Sequence, residues 1–235
     1  MIRVALRAAI AALVLIPMPA EPGSGVILSV ASSVESALTA DPASPFWQAA
    51  QPVVAANDQM GQPAPGHRTE IRSRWTKQNL YILFVCPYQQ LHLKQDHFTD
   101  RETNELWNWD VGEAFIGSDF ANIRRYKEFE LSPQGEWVDL DIDRDHPLPE
   151  GGWLWNSGFQ VKARVDAERK IWYGEMRIPF SAIAPWEPAA GRELRINFYR
   201  AQGGPPERRT IAWQPTHSRS FHVPESFGRM RLVEK

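Results

Sequence analysis

From residue 41 onward, apolar and polar positions alternate in short runs, and the three-to-four spacing of an amphipathic helix is scarce. The runs fall at residues 69–76, 80–86, 111–116, 124–131, 137–142, 159–165, 171–178, 193–199, 210–213 and 229–233. Pro, Gly, Asn and Asp separate them, as expected for strands joined by turns. Few helical segments lie between the runs, which argues against repeated βα units. The expected fold is all-β, a single-domain antiparallel β-sandwich of the jelly-roll or immunoglobulin-like kind. One helical turn is expected at Phe180-Ser181-Ala182-Ile183, directly after Pro179.

Ahead of this region the pattern changes. Arg3 and Arg7 precede an unbroken apolar run at residues 8–16, which ends at Pro17. That run is too short to span a bilayer and matches the apolar centre of a signal peptide. Residues 1–25 therefore read as a leader, with small-residue cleavage points near Met18-Pro19-Ala20 or Leu38-Thr39-Ala40. The expected location is secreted or periplasmic. Residues 26–40, within a stretch rich in Ser, Ala, Pro and Gly, read as a linker to a domain over 41–235. A second apolar patch at 26–30 leaves an uncleaved anchor as the alternative.

Composition narrows the function classes. A net charge of −2 and a pI near 6.3 lack the basic excess of a nucleic-acid binder. The lone Cys86 can form no intramolecular disulfide, and its apolar run marks it as an inert buried thiol. Most of the 10 Trp residues are expected in the core, but so many also leave aromatics for a binding face.

Leu106-Trp107-Asn108-Trp109-Asp110-Val111-Gly112-Glu113 places two Trp and two carboxylates at a strand entrance. Indole faces cover the C–H faces of a sugar ring, and carboxylates accept from its hydroxyls. The alternative is a core Trp pair with a capped turn. Glu128 and Glu130 share one face of their run, with Phe129 and Leu131 on the other. That acidic face reads as solvated, with a glycosidase acid/base pair as the alternative. Asp139, Asp141, Asp143, Asp145 and Glu150 echo a Ca²⁺ loop, but Arg144 stands where the loop's sharp turn needs Gly. A structural Ca²⁺ is thus the alternative to a second solvated face, and no other cofactor is expected. The scattered His residues show no zinc spacing, and Ala201-Gln202-Gly203-Gly204 leads into no helix that could seat a phosphate.

Taken in order, four stretches resemble a family. They are residues 74–82 (Arg74-Trp75-Thr76-Lys77-Gln78-Asn79-Leu80-Tyr81-Ile82), 106–116, 177–183, and 211–216 with 220–228. Together they resemble the family 9 carbohydrate-binding modules, more closely the family 9-like branch, over residues 41–235. The resemblance implies a sandwich that grips a sugar between two aromatic side chains. It assigns the first aromatic to Trp107, the hydrogen-bonding carboxylate to Glu113 with Asp110 beside it in the slot, and the second aromatic to Phe221, where the family has Trp. It also implies that Glu130 replaces a sugar-binding Arg and Ser218 replaces an Asn. Trp109 is expected to pack and Asp110 to organise the segment.

The expected function is an exported, non-catalytic carbohydrate-binding domain serving polysaccharide capture or degradation, partnered by a mono- or oligosaccharide and by a glycoside hydrolase. Neither nucleic acid nor membrane, an uncleaved leader aside, is an expected partner. Two alternatives stand beside it. One is a haem-b electron-transfer subunit, with Met60, Met176, Met230 and Lys94 as axial candidates. The other is a hydrolase of O-glycosyl bonds built on the acidic residues.

Overall fold

The structure, a computed structural model, describes residues 25–149 and 152–235. The leader, apart from residue 25, and Glu150 lie outside the described residues. The strands in chain order are β1 (Val26–Ala31), β2 (Val53–Ala55), β3 (Asn57–Asp58), β4 (Thr69–Trp75), β5 (Asn79–Pro87), β6 (Val111–Gly117) and β7 (Arg125–Leu131). They continue with β8 (Trp137–Asp143), β9 (Gln160–Asp166), β10 (Ile171–Pro179), β11 (Glu193–Gln202), β12 (Arg209–Ala212) and β13 (Gly228–Val233). Among the described residues the one α-helical turn, α1 (Phe180–Ile183), follows Pro179 as expected. Among the described residues no helix is long and apolar enough to cross a membrane.

Hydrogen bonds connect the strands in the order β8-β7-β6-β11-β13-β1-β4-β5-β10-β9, with β12 beside β11 and β2 beside β4. The two ends of this path fold onto each other as a sandwich. Between them lie Ala114, Ile116, Phe129, Leu131, Ile196 and Phe198 from one layer, and Ile71, Ile82, Phe84, Trp172 and Met176 from the other. Phe84 and Phe198 meet edge to face across the layers, 5.9 Å between centroids. Gly174 of β10 allows Leu131 its place, since a Cβ there would overlap the leucine methyls.

The stretch 26–40, read above as a linker, is instead partly a strand. β1 lies inside the sheet, parallel to both β13 and β4, with Ile27 fully buried. Its apolar residues gain more from burial than its small, Ser-rich surroundings lose on ordering. Residues 35–40 are pinned over the outer face of β5 and β10. Glu175 accepts from the backbone N–H of Thr39 (2.8 Å) and Ala40 (2.7 Å), and Tyr81 donates to Glu35 (2.5 Å). Trp47 seals that face, fully buried beside Tyr81 and Leu83.

The opposite outer face, formed by β8, β7, β6, β11 and β12, carries a second apolar layer. It comprises Val111, Phe115, Tyr126, Val138, Leu140, Ile142, Tyr199 and Ala201. Loops from both ends of the chain fold over its rim and leave a cavity.

Candidate functional site

Period two along β6 puts Val111, Glu113 and Phe115 on this outer face, and along β7 it puts Tyr126, Glu128 and Glu130 there. The cavity above them encloses about 560 Å³, within the range of a small-ligand pocket. Its floor is apolar at Phe115, Leu140, Ile142 and Ala201 and acidic at Glu113 and Glu128. Its rim carries Trp107, Trp153 and Phe221, together with Arg208. Trp107 is 39% exposed, a large fraction for an indole with so much apolar area to bury.

The Trp107 segment is held from below. Leu106 plugs the outer apolar layer, and a 3-10 turn over Leu106–Asn108 lifts Trp107 outward. The Asp110 carboxylate accepts from the Gln202 amide (2.7 Å) and from the backbone N–H of Gly203 (2.5 Å) and His92 (3.1 Å). It is fully buried, and burial raises its pKa against the pull of those donors. Arg208 completes the clamp, donating to the carbonyls of Gly203 (3.0 Å), Trp109 (2.9 Å) and Trp107. The opposite rim rests on Tyr199, whose ring stacks on Phe221 at 4.2 Å and 9°. Its hydroxyl donates to the Phe221 carbonyl at 3.0 Å. One face of the Phe221 ring is therefore covered by Tyr199.

The structure brings Trp107, Glu113 and Phe221 to one cavity. Asp110 points away from it into the strand–loop junction. Glu130 is fully buried behind Glu113, its direct cross-strand partner. Ser218 lies in a turn where its hydroxyl accepts from the Ser220 N–H at 3.2 Å, and it does not line the cavity. Trp153, Arg208 and His222 also line it; His222 directly follows Phe221, whereas nothing in the sequence surroundings of Trp153 and Arg208 marks them. They arrive on loops that only the folded sheet brings together.

The acidic face of β7 is not solvated, contrary to the expectation above. Glu113, Glu128 and Glu130 are 2%, 3% and 0% exposed, because the loops over β6 and β7 shut out water. One oxygen from each lies within 4.8 Å of the other two. Among the described residues, both Glu130 oxygens and Glu128 Oε2 are buried with no hydrogen-bond donor from outside the three carboxyls. Burial, with the neighbouring charges added, raises Glu113 and Glu130 well above the carboxylate range, and burial raises Glu128 to about 7. His222 Nδ1 stands 4.0 Å from Glu128 and 2.8 Å from the Tyr126 hydroxyl. Burial and the nearby Arg144 charge lower its pKa to about 4, so the ring is neutral at pH 7.

The Asp run behaves differently. Asp141 pairs with Lys127 (2.5 Å), Asp143 with Arg125 (2.7 Å) and His146 (2.9 Å), and Asp145 with Arg124 (2.6 Å). Of the axial candidates, Met176 and Met230 are packed in the core. None of Met60, Met176, Met230 and Lys94 lines the cavity.

Comparison with known proteins agrees with this architecture. Residues 41–235 match the family described as carbohydrate family 9 binding domain-like. A family 9 carbohydrate-binding module from Caldicellulosiruptor kristjanssonii, solved in complex with cellotriose, superposes with a TM-score of 0.64 at 15% identity, over 89% of this chain and 94% of that one. The complex with glucose gives a TM-score of 0.63 at 13% identity, over 88% and 96%. A protein of Arthroderma benhamiae described as an extracellular protein is 23% identical over 223 residues, 88% of this chain and 98% of that one. The match spans every strand from β2 to β13, and the chain belongs to the carbohydrate family 9 binding domain-like family.

Proposed function

We propose that this chain is an exported, non-catalytic carbohydrate-binding protein that takes a sugar into the cavity above β6 and β7. The observation that carries this reading is an exposed Trp107 sharing one cavity with Trp153, Phe221 and the carboxyls of Glu113 and Glu128. Aromatic faces suit the C–H surface of a pyranose, and the carboxyls take its hydroxyls. A protonated carboxyl also donates, so the raised pKa values widen the set of hydroxyl geometries the floor accepts. The three glutamates stand on one wall and converge on one point, whereas a hydrolase sets its two carboxyls on either side of the scissile bond. Cello-oligosaccharides are the first ligands to test, because the Caldicellulosiruptor modules hold cellotriose and glucose. Export rests on the leader pattern at Arg3, Arg7 and residues 8–16, and on the extracellular description of the Arthroderma relative. The role we assign is polysaccharide capture beside a glycoside hydrolase.

Calorimetric titration with glucose, cellotriose and a panel of other oligosaccharides tests the reading, with Trp107→Ala and Phe221→Ala as controls. Trp107→Ala should weaken binding by about 1–3 kcal/mol, from the apolar area an indole loses. A wild type that binds no sugar, or a Trp107→Ala variant that binds as tightly, contradicts it.

A further inference from the structure

We propose that Glu113, Glu128 and Glu130 form a binding site for a divalent cation, Ca²⁺ first among the hard cations, at the floor of the cavity. Three carboxyls from two adjacent strands offer oxygens that all lie within 4.8 Å of one another. Oxygens sharing one Ca²⁺ lie at most twice the bond length apart, about 4.6–5.2 Å, so the three fit one coordination shell. The donor set is all oxygen, which favours Ca²⁺, Mg²⁺ or Mn²⁺ over zinc or copper. Ca²⁺ tolerates an irregular set completed by water or hydroxyls better than Mg²⁺, which demands near-octahedral geometry.

A second observation points the same way. Glu130 is fully buried, and among the described residues neither of its oxygens meets a hydrogen-bond donor from outside the three carboxyls; Glu128 Oε2 shares that condition. Buried carboxylates ordinarily collect donors, because an unpaired buried acceptor costs about 1–3 kcal/mol, and more if charged. The guanidinium acting on the cluster, Arg208, donates its N–H groups to the carbonyls of Gly203, Trp107 and Trp109. The His222 Nδ1 is directed to the Tyr126 hydroxyl at 2.8 Å. An oxygen-seeking cation would fill the vacant donor positions, and the cavity gives it a path, since Glu113 and Glu128 both line it. The open side of its shell would then face whatever the cavity holds. Where the proposed sugar reading holds, that means vicinal hydroxyls.

The test uses the full chain, stripped with EDTA and titrated with CaCl₂ by calorimetry, followed by thermal melting with and without Ca²⁺. One Ca²⁺ per chain should bind and raise the melting temperature. Glu130→Gln and Glu113→Gln should each weaken Ca²⁺ at least tenfold. Glu130→Gln should also melt higher than the stripped wild type at alkaline pH, where the wild type loses the proton its buried carboxyl holds. An Asp141→Asn/Asp143→Asn variant should bind Ca²⁺ as the wild type does. Absence of Ca²⁺ binding overturns the site, as does binding that survives both Gln substitutions or vanishes in the Asn double variant. Ca²⁺ binding without any sugar binding keeps this site and defeats the sugar reading, so the two failures are separable.

Discussion

Asp141 and Asp143 on β8 and Glu128 and Glu130 on β7 follow the same every-second-residue spacing, yet they meet opposite surroundings. Across the strand gap, Asp141 and Asp143 face Lys127 and Arg125, and β8 lies at the end of the sheet where water reaches them. Glu128 and Glu130 face Leu140 and Val138 on one side and Phe115 and Glu113 on the other. Alternation reports which residues share a face. Only the register reports the partner, and only the loops report whether the face is wet. The first acids are ordinary surface pairs, whereas the second are shut from water, Glu128 at the cavity floor and Glu130 behind Glu113.

Each side of the comparison can be broken experimentally. The largest effect lies on the face of β7 turned away from the glutamates, where Phe129 is fully buried against Phe159 and Trp155. Phe129→Ala should cost about 3–5 kcal/mol in chemical denaturation; a loss below about 1 kcal/mol would show that this face is not core.

An intermediate case is Asp139, the one buried acid of β8, which accepts from the Ser157 N–H at 2.7 Å but has no basic partner. Burial, and the nearby Asp139 charge, raise Glu102 to about 7 from 4.5. A raised folded-state pKa means the native state holds a proton the unfolded chain releases. Stability is therefore full below the unfolded value and falls as pH rises through about 7. Glu102→Gln should match the wild type in melting temperature at about pH 4 and exceed it at about pH 8. Equal gaps at both pH values would remove the repulsion from the account.

The smallest effect belongs to the exposed pairs. A double-mutant cycle on Lys127 and Asp141 should return a coupling below about 1 kcal/mol. The single Lys127→Met change should cost more than Asp141→Asn, since Lys127 also sits 4.5 Å over the Trp155 ring. A coupling of several kcal/mol would show that these acids are not the solvated kind.

Much of the fold was legible in the alternation, because β4 to β13 each carry several residues of one period. β2 and β3, with three and two residues, are too short to show any period. β1 was misread for a different reason. Its residues are apolar on both faces beside an apolar leader, and its partners β4 and β13 are distant in sequence and parallel to it. Half of the candidate site was legible. Trp107 and Glu113 stand in one segment and His222 adjoins Phe221, whereas Arg208 and Trp153 sit in loops with no pattern of their own. The burial of Glu130 was hidden too, since a period of two names a face and not its cover.

In the proposed function a sugar enters the cavity above β6 and β7 and rests against Trp107. The most direct measurement is the indole N–H spectrum of ¹⁵N-labelled protein during titration with cellotriose, the Trp107 signal assigned through Trp107→Phe. The Trp107 and Trp153 signals should shift together while the buried Trp47 and Trp172 signals stay fixed. Binding that leaves Trp107 unmoved, or shifts only tryptophans outside the cavity, would contradict it.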